Sequence, residues 1–180
     1  MNRMLKYAGM LGLFLSAGCA GVVAEGANIG RDKLIVSNNI EAARSGDAEA
    51  QYRVGDALCC SIDEGQGFYD TPEAVAWLCR AAGQGHGPAA YKLGEIYAGD
   101  VVSGVRVLRR VAQKVAGNST DRAVAYGWFR RAEVLGVDGA RDSGSELWAA
   151  LGADERRKAE ALVLGRSPLP CAWDEVIGRS

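Results

Sequence analysis

Two stretches of the chain align on each other without a gap. Gly46-Asp47-Ala48-Glu49-Ala50-Gln51-Tyr52-Arg53-Val54-Gly55 and Gly85-His86-Gly87-Pro88-Ala89-Ala90-Tyr91-Lys92-Leu93-Gly94 share Gly, Ala, Tyr and Gly at a spacing of 39 residues, with Val54 opposite Leu93. A second phase recurs further on: Trp77 and Trp128, Ala81 and Ala132, and Gly85 and Gly136 are each 51 residues apart. The unit is therefore about 39 residues long, and its second copy carries about 12 more near residues 100–120. One such unit cannot bury its apolar face alone, so stacked neighbours must bury it together.

Within the unit the local pattern is helical. Ala48, Tyr52, Gly55 and Leu58 follow one another at steps of three and four, as do Ala74, Trp77 and Ala81, which places each set on one helix face. Thr71-Pro72-Glu73 reads as a helix start, with the Thr71 hydroxyl as N-cap, Pro at the first helical position and an acid at the positive helix end. Gly65 and Gly67 break the chain between the two helices. Small residues at Ala50, Gly55, Ala81 and Gly94 let helix backbones approach closely, with the large Tyr and Trp side chains filling the space beside them. The expected fold is all-α, a short α-solenoid of antiparallel helix pairs with an inserted helix. An opening helix is expected over Lys33 to Arg44 and two closing ones over Gly139 to Gly165.

At these positions the chain resembles the Sel-one-like repeat family, relatives of the tetratricopeptide repeats. The residues that carry the resemblance are Ala50-Gln51-Tyr52-Arg53-Val54-Gly55, Asp70, Ala74, Trp77, Ala81-Ala82, Gly85-His86 and Leu93-Gly94-Glu95-Ile96-Tyr97. Ala125-Tyr126-Gly127-Trp128, Gly136, Ala140 and the charged run from Leu151 to Glu160 extend it, so that it covers about residues 42–164. Leu58 stands where the family has Tyr, and Gly87-Pro88 replaces an Ala-containing turn. The resemblance implies an adaptor that binds a protein or peptide at the cell envelope.

The start of the chain reads as an address. Arg3 and Lys6 precede an apolar run from Tyr7 to Leu15, too short for a bilayer span but suited to a secretory signal. Leu15-Ser16-Ala17-Gly18-Cys19 resembles the lipobox of bacterial lipoproteins, with Ser16 where Leu is usual. That resemblance implies removal of residues 1–18, acylation (palmitate) at Cys19 and a tether over 19–30. The repeat domain then spans 31–165 and a C-terminal tail 166–180. Ala20 after the Cys points to an outer-membrane lipoprotein facing the periplasm, held to the membrane by its N-terminal lipid.

Composition narrows the function classes. Lys and Arg total 21 against 22 Asp and Glu, which lacks the basic excess of a nucleic-acid binder. Removing residues 1–18 takes Arg3 and Lys6, leaving 19 basic against 22 acidic side chains. His86 is the one histidine, so histidine-based zinc clusters are ruled out, and a structural role in the inter-repeat turn is expected of it. No phosphate-binding loop, dinucleotide fingerprint, Gly-x-Ser-x-Gly elbow or metal-ligand cluster is present in the sequence. No catalytic residue, cofactor or metal is therefore assigned.

Beyond Cys19, four cysteines remain: Cys59, Cys60, Cys79 and Cys171. In an oxidising compartment they suggest two disulfides, for which three connectivities exist. A bond between the neighbours Cys59 and Cys60 is disfavoured by strain. Cys79 is expected to bond one of that pair and Cys171 the other, pinning the tail. In the insert, Val101, Val105, Leu108, Val111, Ala112 and Val115 form an apolar stripe and Arg106, Arg109, Arg110 and Lys114 a basic one. That is a basic amphipathic helix, either packed with solvated charges or a docking element for an acidic partner or anionic lipid. Arg106, Arg109, Arg110, Lys114, Arg130 and Arg131 are the candidate partner contacts, with Tyr52, Tyr91 and Trp128 as candidates that also suit a core. The expected function is an envelope-anchored interaction scaffold. A structural lipoprotein without a discrete ligand is the alternative, and a cell-wall hydrolase or thiol oxidoreductase ranks behind both.

Overall fold

The structure is a computed structural model and describes residues 29–60, 67–99 and 120–176. Cys19, the signal segment and the insert with Arg106, Arg109, Arg110 and Lys114 lie outside the described residues. Among those described, the chain is all-helical. Helix α1 covers 29–44. It is followed by α2 (Ala48–Leu58), α3 (Thr71–Gly83), α4 (Gly87–Ala98), α5 (Arg122–Val134), α6 (Ala140–Ala150), α7 (Ala153–Val163) and the short α8 (Trp173–Val176). The opening helix starts a turn earlier than the sequence suggests. The two closing helices fall where expected, and the tail adds α8.

The turns explain where the helices stop. Gly46, Gly85, Gly136 and Gly165 all take positive φ, between 67° and 102°, a region glycine enters without steric cost. Each closes the preceding helix in the same way. The amides of Asp47, His86, Val137 and Arg166 reach back to the carbonyls of Ala42, Ala81, Ala132 and Ala161 at 2.9–3.1 Å. This is the six-to-one bond of a Schellman closure.

Helix starts are capped by side chains. Asp47 accepts from the amide of Ala50 at 2.7 Å, Asp70 from Glu73 at 2.9 Å and Asp121 from Val124 at 3.1 Å. The cap of α3 is therefore Asp70. Thr71 is its first helical residue and is buried, because a carboxylate one step earlier already meets the orphan amide. Helix α7 is capped by Gly152, whose amide donates to the Glu155 carboxylate at 2.7 Å.

Packing follows the small residues. Helix α2 packs on α3, α3 on α4, and α4 on α5; α6 and α7 both pack on α5, and α8 touches α3. A Cβ on Gly55 would lie 2.7 Å from Leu78 Cγ, and one on Gly94 2.7 Å from the Phe129 ring. Gly55 and Gly94 are 39 residues apart, Leu78 and Phe129 51 apart. Trp77 and Trp128 are both buried. The buried face of α2 runs through Ala50, Gln51, Val54, Gly55, Ala57 and Leu58, with Ala48 and Tyr52 at its border. Gln51 tolerates burial because its amide donates to the Ala43 carbonyl at 3.1 Å and accepts from Gln84 at 2.8 Å.

The connections between aligned helices share an anchor despite their different lengths. Asp70 N–H donates to the Leu58 carbonyl at 3.0 Å, and Asp121 N–H to the Tyr97 carbonyl at 3.1 Å. The additional residues of the second copy thus enter after Tyr97 and leave before Asp121.

Candidate functional site

The C-terminal segment builds the most elaborate surface feature. It crosses α5, α4 and α3 in turn. Leu169 lies over Gly127 of α5, where a Cβ would meet its Cδ1 at 2.6 Å. The indole N–H of Trp128 donates to the Pro170 carbonyl at 3.1 Å, and the Tyr97 hydroxyl donates to the Cys171 carbonyl at 2.7 Å. The Trp173 ring stacks on Tyr97 at 6.4 Å. Cys171 is bonded to Cys79 of α3, with Cα atoms 5.8 Å apart. Pro72, Ala76, Cys79, Cys171, Ala172 and Trp173 line an open depression beside this bond.

Burial drives the Tyr97 phenol far above its ordinary pKa, with Glu175, Asp121 and Asp174 adding to the effect. The shift favours the protonated phenol, the form that donates to the Cys171 carbonyl.

The cysteines pair differently from the sequence expectation. Cys79 and Cys171 form one pair, and the neighbours Cys59 and Cys60 form the other. The tail brings Cys171 onto the middle of α3, which leaves Cys59 and Cys60 only each other. Cys60 takes φ 68°, in the left-handed region, as α2 ends.

The inter-helix turn at His86 is a second polar junction. Its Nδ1 accepts from the Ala89 amide at 3.2 Å, capping α4. That bond fixes the proton on Nε2, which donates to Glu49 Oε2 at 2.9 Å. The imidazole stacks on Tyr52 at 4.8 Å. Glu49 also accepts from Arg53 at 2.7 Å. Its carboxyl is held below the usual glutamate range, first by the His86 hydrogen bond and then by Arg53. Burial raises the Tyr52 phenol, helped by Asp56, Glu49 and Glu95. The His86–Glu49 hydrogen bond and the Tyr52–His86 stack join α2 to the start of α4.

The remaining candidates separate into packing and surface. Tyr91 donates or accepts with Ser143 at 3.0 Å and tilts against Phe129; Trp128 is core. Arg130 pairs with Glu133, which also accepts from Arg141 at 2.8 Å. Arg131 is exposed beside them. These arginines form a charged surface on α5 and α6; the basic residues of the insert lie outside the described residues. Among the described residues no group of three His, Cys, Asp or Glu side chains could hold a metal ion, and no helix is long and apolar enough to cross a membrane. The sequence reading missed Tyr97, Gly127, Leu169 and Pro170. The one available signal was Gly127 inside an otherwise helical pattern.

Comparison with known protein families, with curated proteins and with solved structures finds no match.

Proposed function

We propose that the chain is an envelope-anchored protein–protein interaction scaffold built from Sel-one-like repeats in a short α-solenoid, lipid-anchored at Cys19 and facing the periplasm. The observation that carries this reading is the recurrence of contacts at aligned positions. The Gly55–Leu78 approach recurs as Gly94–Phe129, the Leu58–Asp70 bond as Tyr97–Asp121, and the turn at Gly46 as that at Gly85. Stacked units of this kind present extended surfaces rather than enclosed active sites, which suits binding. The arginines on α5 and the basic stripe of the insert suit an acidic protein face.

The test is capture of the full-length lipidated chain from gently solubilised envelopes, with co-purifying proteins identified by mass spectrometry. One dominant, stoichiometric envelope protein is expected. Recovery of the chain alone across several growth states refutes a stable scaffold.

A further inference from the structure

The tail contacts have the character of a ligand in a groove. The body supplies the donors, Trp128 N–H and Tyr97 O–H, and the tail supplies main-chain carbonyls. Tyr97 is fully buried and Trp128 nearly so. With the tail in place both donors are buried and are matched by its carbonyls, so whatever occupies this groove must present main-chain acceptors to satisfy them. Recognition through main-chain carbonyls, with one side-chain notch, is how grooves accept extended peptides. The notch is the missing side chain of Gly127, which admits Leu169. The Tyr97 ring provides an aromatic platform four residues further along, at Trp173.

The occupant is attached at two ends. It continues from α7 at Arg166 and is fixed by the Cys79–Cys171 bond. That bond borders the open depression between Pro72, Ala76 and Trp173, so a small thiol can reach it.

We propose that this groove across α3, α4 and α5 is a binding site for an extended peptide carrying a leucine–proline step followed by an aromatic residue. Residues 167–173 occupy it in cis, and reduction of Cys79–Cys171 by a dithiol opens it to a partner. In that reduction a thiolate of the dithiol attacks one cysteine sulfur and forms a mixed disulfide, while the other cysteine leaves as thiolate and takes up a proton. The second thiol of the reductant then displaces the first cysteine. The reductant ends as a disulfide, having supplied two electrons and two protons. The proposal rests on the scaffold reading and identifies which surface of the scaffold takes a peptide.

The probe is a fluorescein-labelled peptide with the sequence of residues 166–176 and serine at the Cys171 position, titrated with the full chain and followed by anisotropy. The oxidised wild-type chain is expected to leave the signal unchanged. The C79S/C171S chain is expected to bind saturably, with apparent affinity raised by about tenfold or more because the tail loses its covalent hold. G127L added to that variant fills the notch and abolishes binding. If C79S/C171S does not fold, L169D with the disulfide intact provides the second route: it weakens the plug and is expected to bind the peptide more tightly than wild type does. A folded C79S/C171S chain that ignores the peptide, with residues 167–173 as protected from hydrogen exchange as in wild type, overturns the proposal and makes the tail a fixed wall of the fold. Failure here while the oxidised chain still captures a stoichiometric envelope partner removes the groove and leaves the scaffold reading standing. Peptide binding without any envelope partner does the reverse.

Discussion

Replacing Gly94 by Ala adds one methyl group at the tightest contact between α4 and α5. Its Cβ would sit 2.7 Å from two atoms of the Phe129 ring and 3.0 Å from a third. Real carbon contacts do not close to that distance, so the ring or a helix must move. The ring has little room, because it is buried, tilts against Tyr91 at 5.4 Å, and its Cβ lies 3.6 Å from where a Cβ on Gly144 would stand. Overpacking of this kind costs about 1–3 kcal/mol. Alanine returns up to about 1 kcal/mol through helix propensity, so a net loss of about 1–2 kcal/mol is expected. For a domain of this size that lowers Tm by about 3–6 °C. Gly83 is the matched control: it is also helical, but nothing lies within 4 Å of its Cβ position. Gly83→Ala is expected to stabilise by about 0.5 kcal/mol. Urea unfolding followed by far-UV circular dichroism, with disulfides intact, reads both variants. Gly94→Ala as stable as wild type, or rising together with Gly83→Ala, would refute the close-approach argument.

Three further outcomes follow from other contacts. Asp70→Ala and Asp121→Ala each remove a side-chain cap, and each is expected to cost about 1 kcal/mol in urea unfolding; a loss at only one of them contradicts the equivalence of the two helix starts. Glu49 has a folded pKa below its unfolded one, so its contribution is present above the ordinary glutamate pKa and fades as pH falls through the folded value. The stability difference between wild type and Glu49→Gln should therefore shrink on acidification, and a difference that grows would reverse the sign of the argument. The Cys79–Cys171 bond closes a loop of 92 residues, so C79S/C171S should lose about 2–4 kcal/mol. Cys59–Cys60 closes essentially no loop, and C59S/C60S should lose much less in the same assay.

Much of this architecture is legible in the chain because its causes are local. Gly55 and Gly94 stand out as small residues at fixed places in helical patterns, and both mark close helix contacts. Gly46, Gly85 and Gly136 recur at spacings of 39 and 51 residues and terminate helices through positive φ. His86 lies in the expected turn. The start of α3 was one residue off, because Asp70 and Thr71 are both good caps and only geometry selects between them. The tail was illegible for a different reason. Ser167 to Cys171 has no helical or strand period, and its partners Tyr97, Gly127 and Trp128 are tens of residues away. The cysteine pairing failed with it: strain argued against Cys59–Cys60, yet the position of Cys171 is set by Leu169 and Pro170 seating on α5. Long-range seating of an irregular segment leaves little trace in local pattern.

The scaffold reading is tested most directly by the mass of the species in which the full-length chain is recovered. Multi-angle light scattering on the captured and purified material should give a discrete species of chain plus one partner in fixed ratio, and R130E/R131E should reduce its yield while leaving the circular dichroism unchanged. A mass equal to that of the chain alone, under conditions where it was drawn intact from the envelope, would contradict the account.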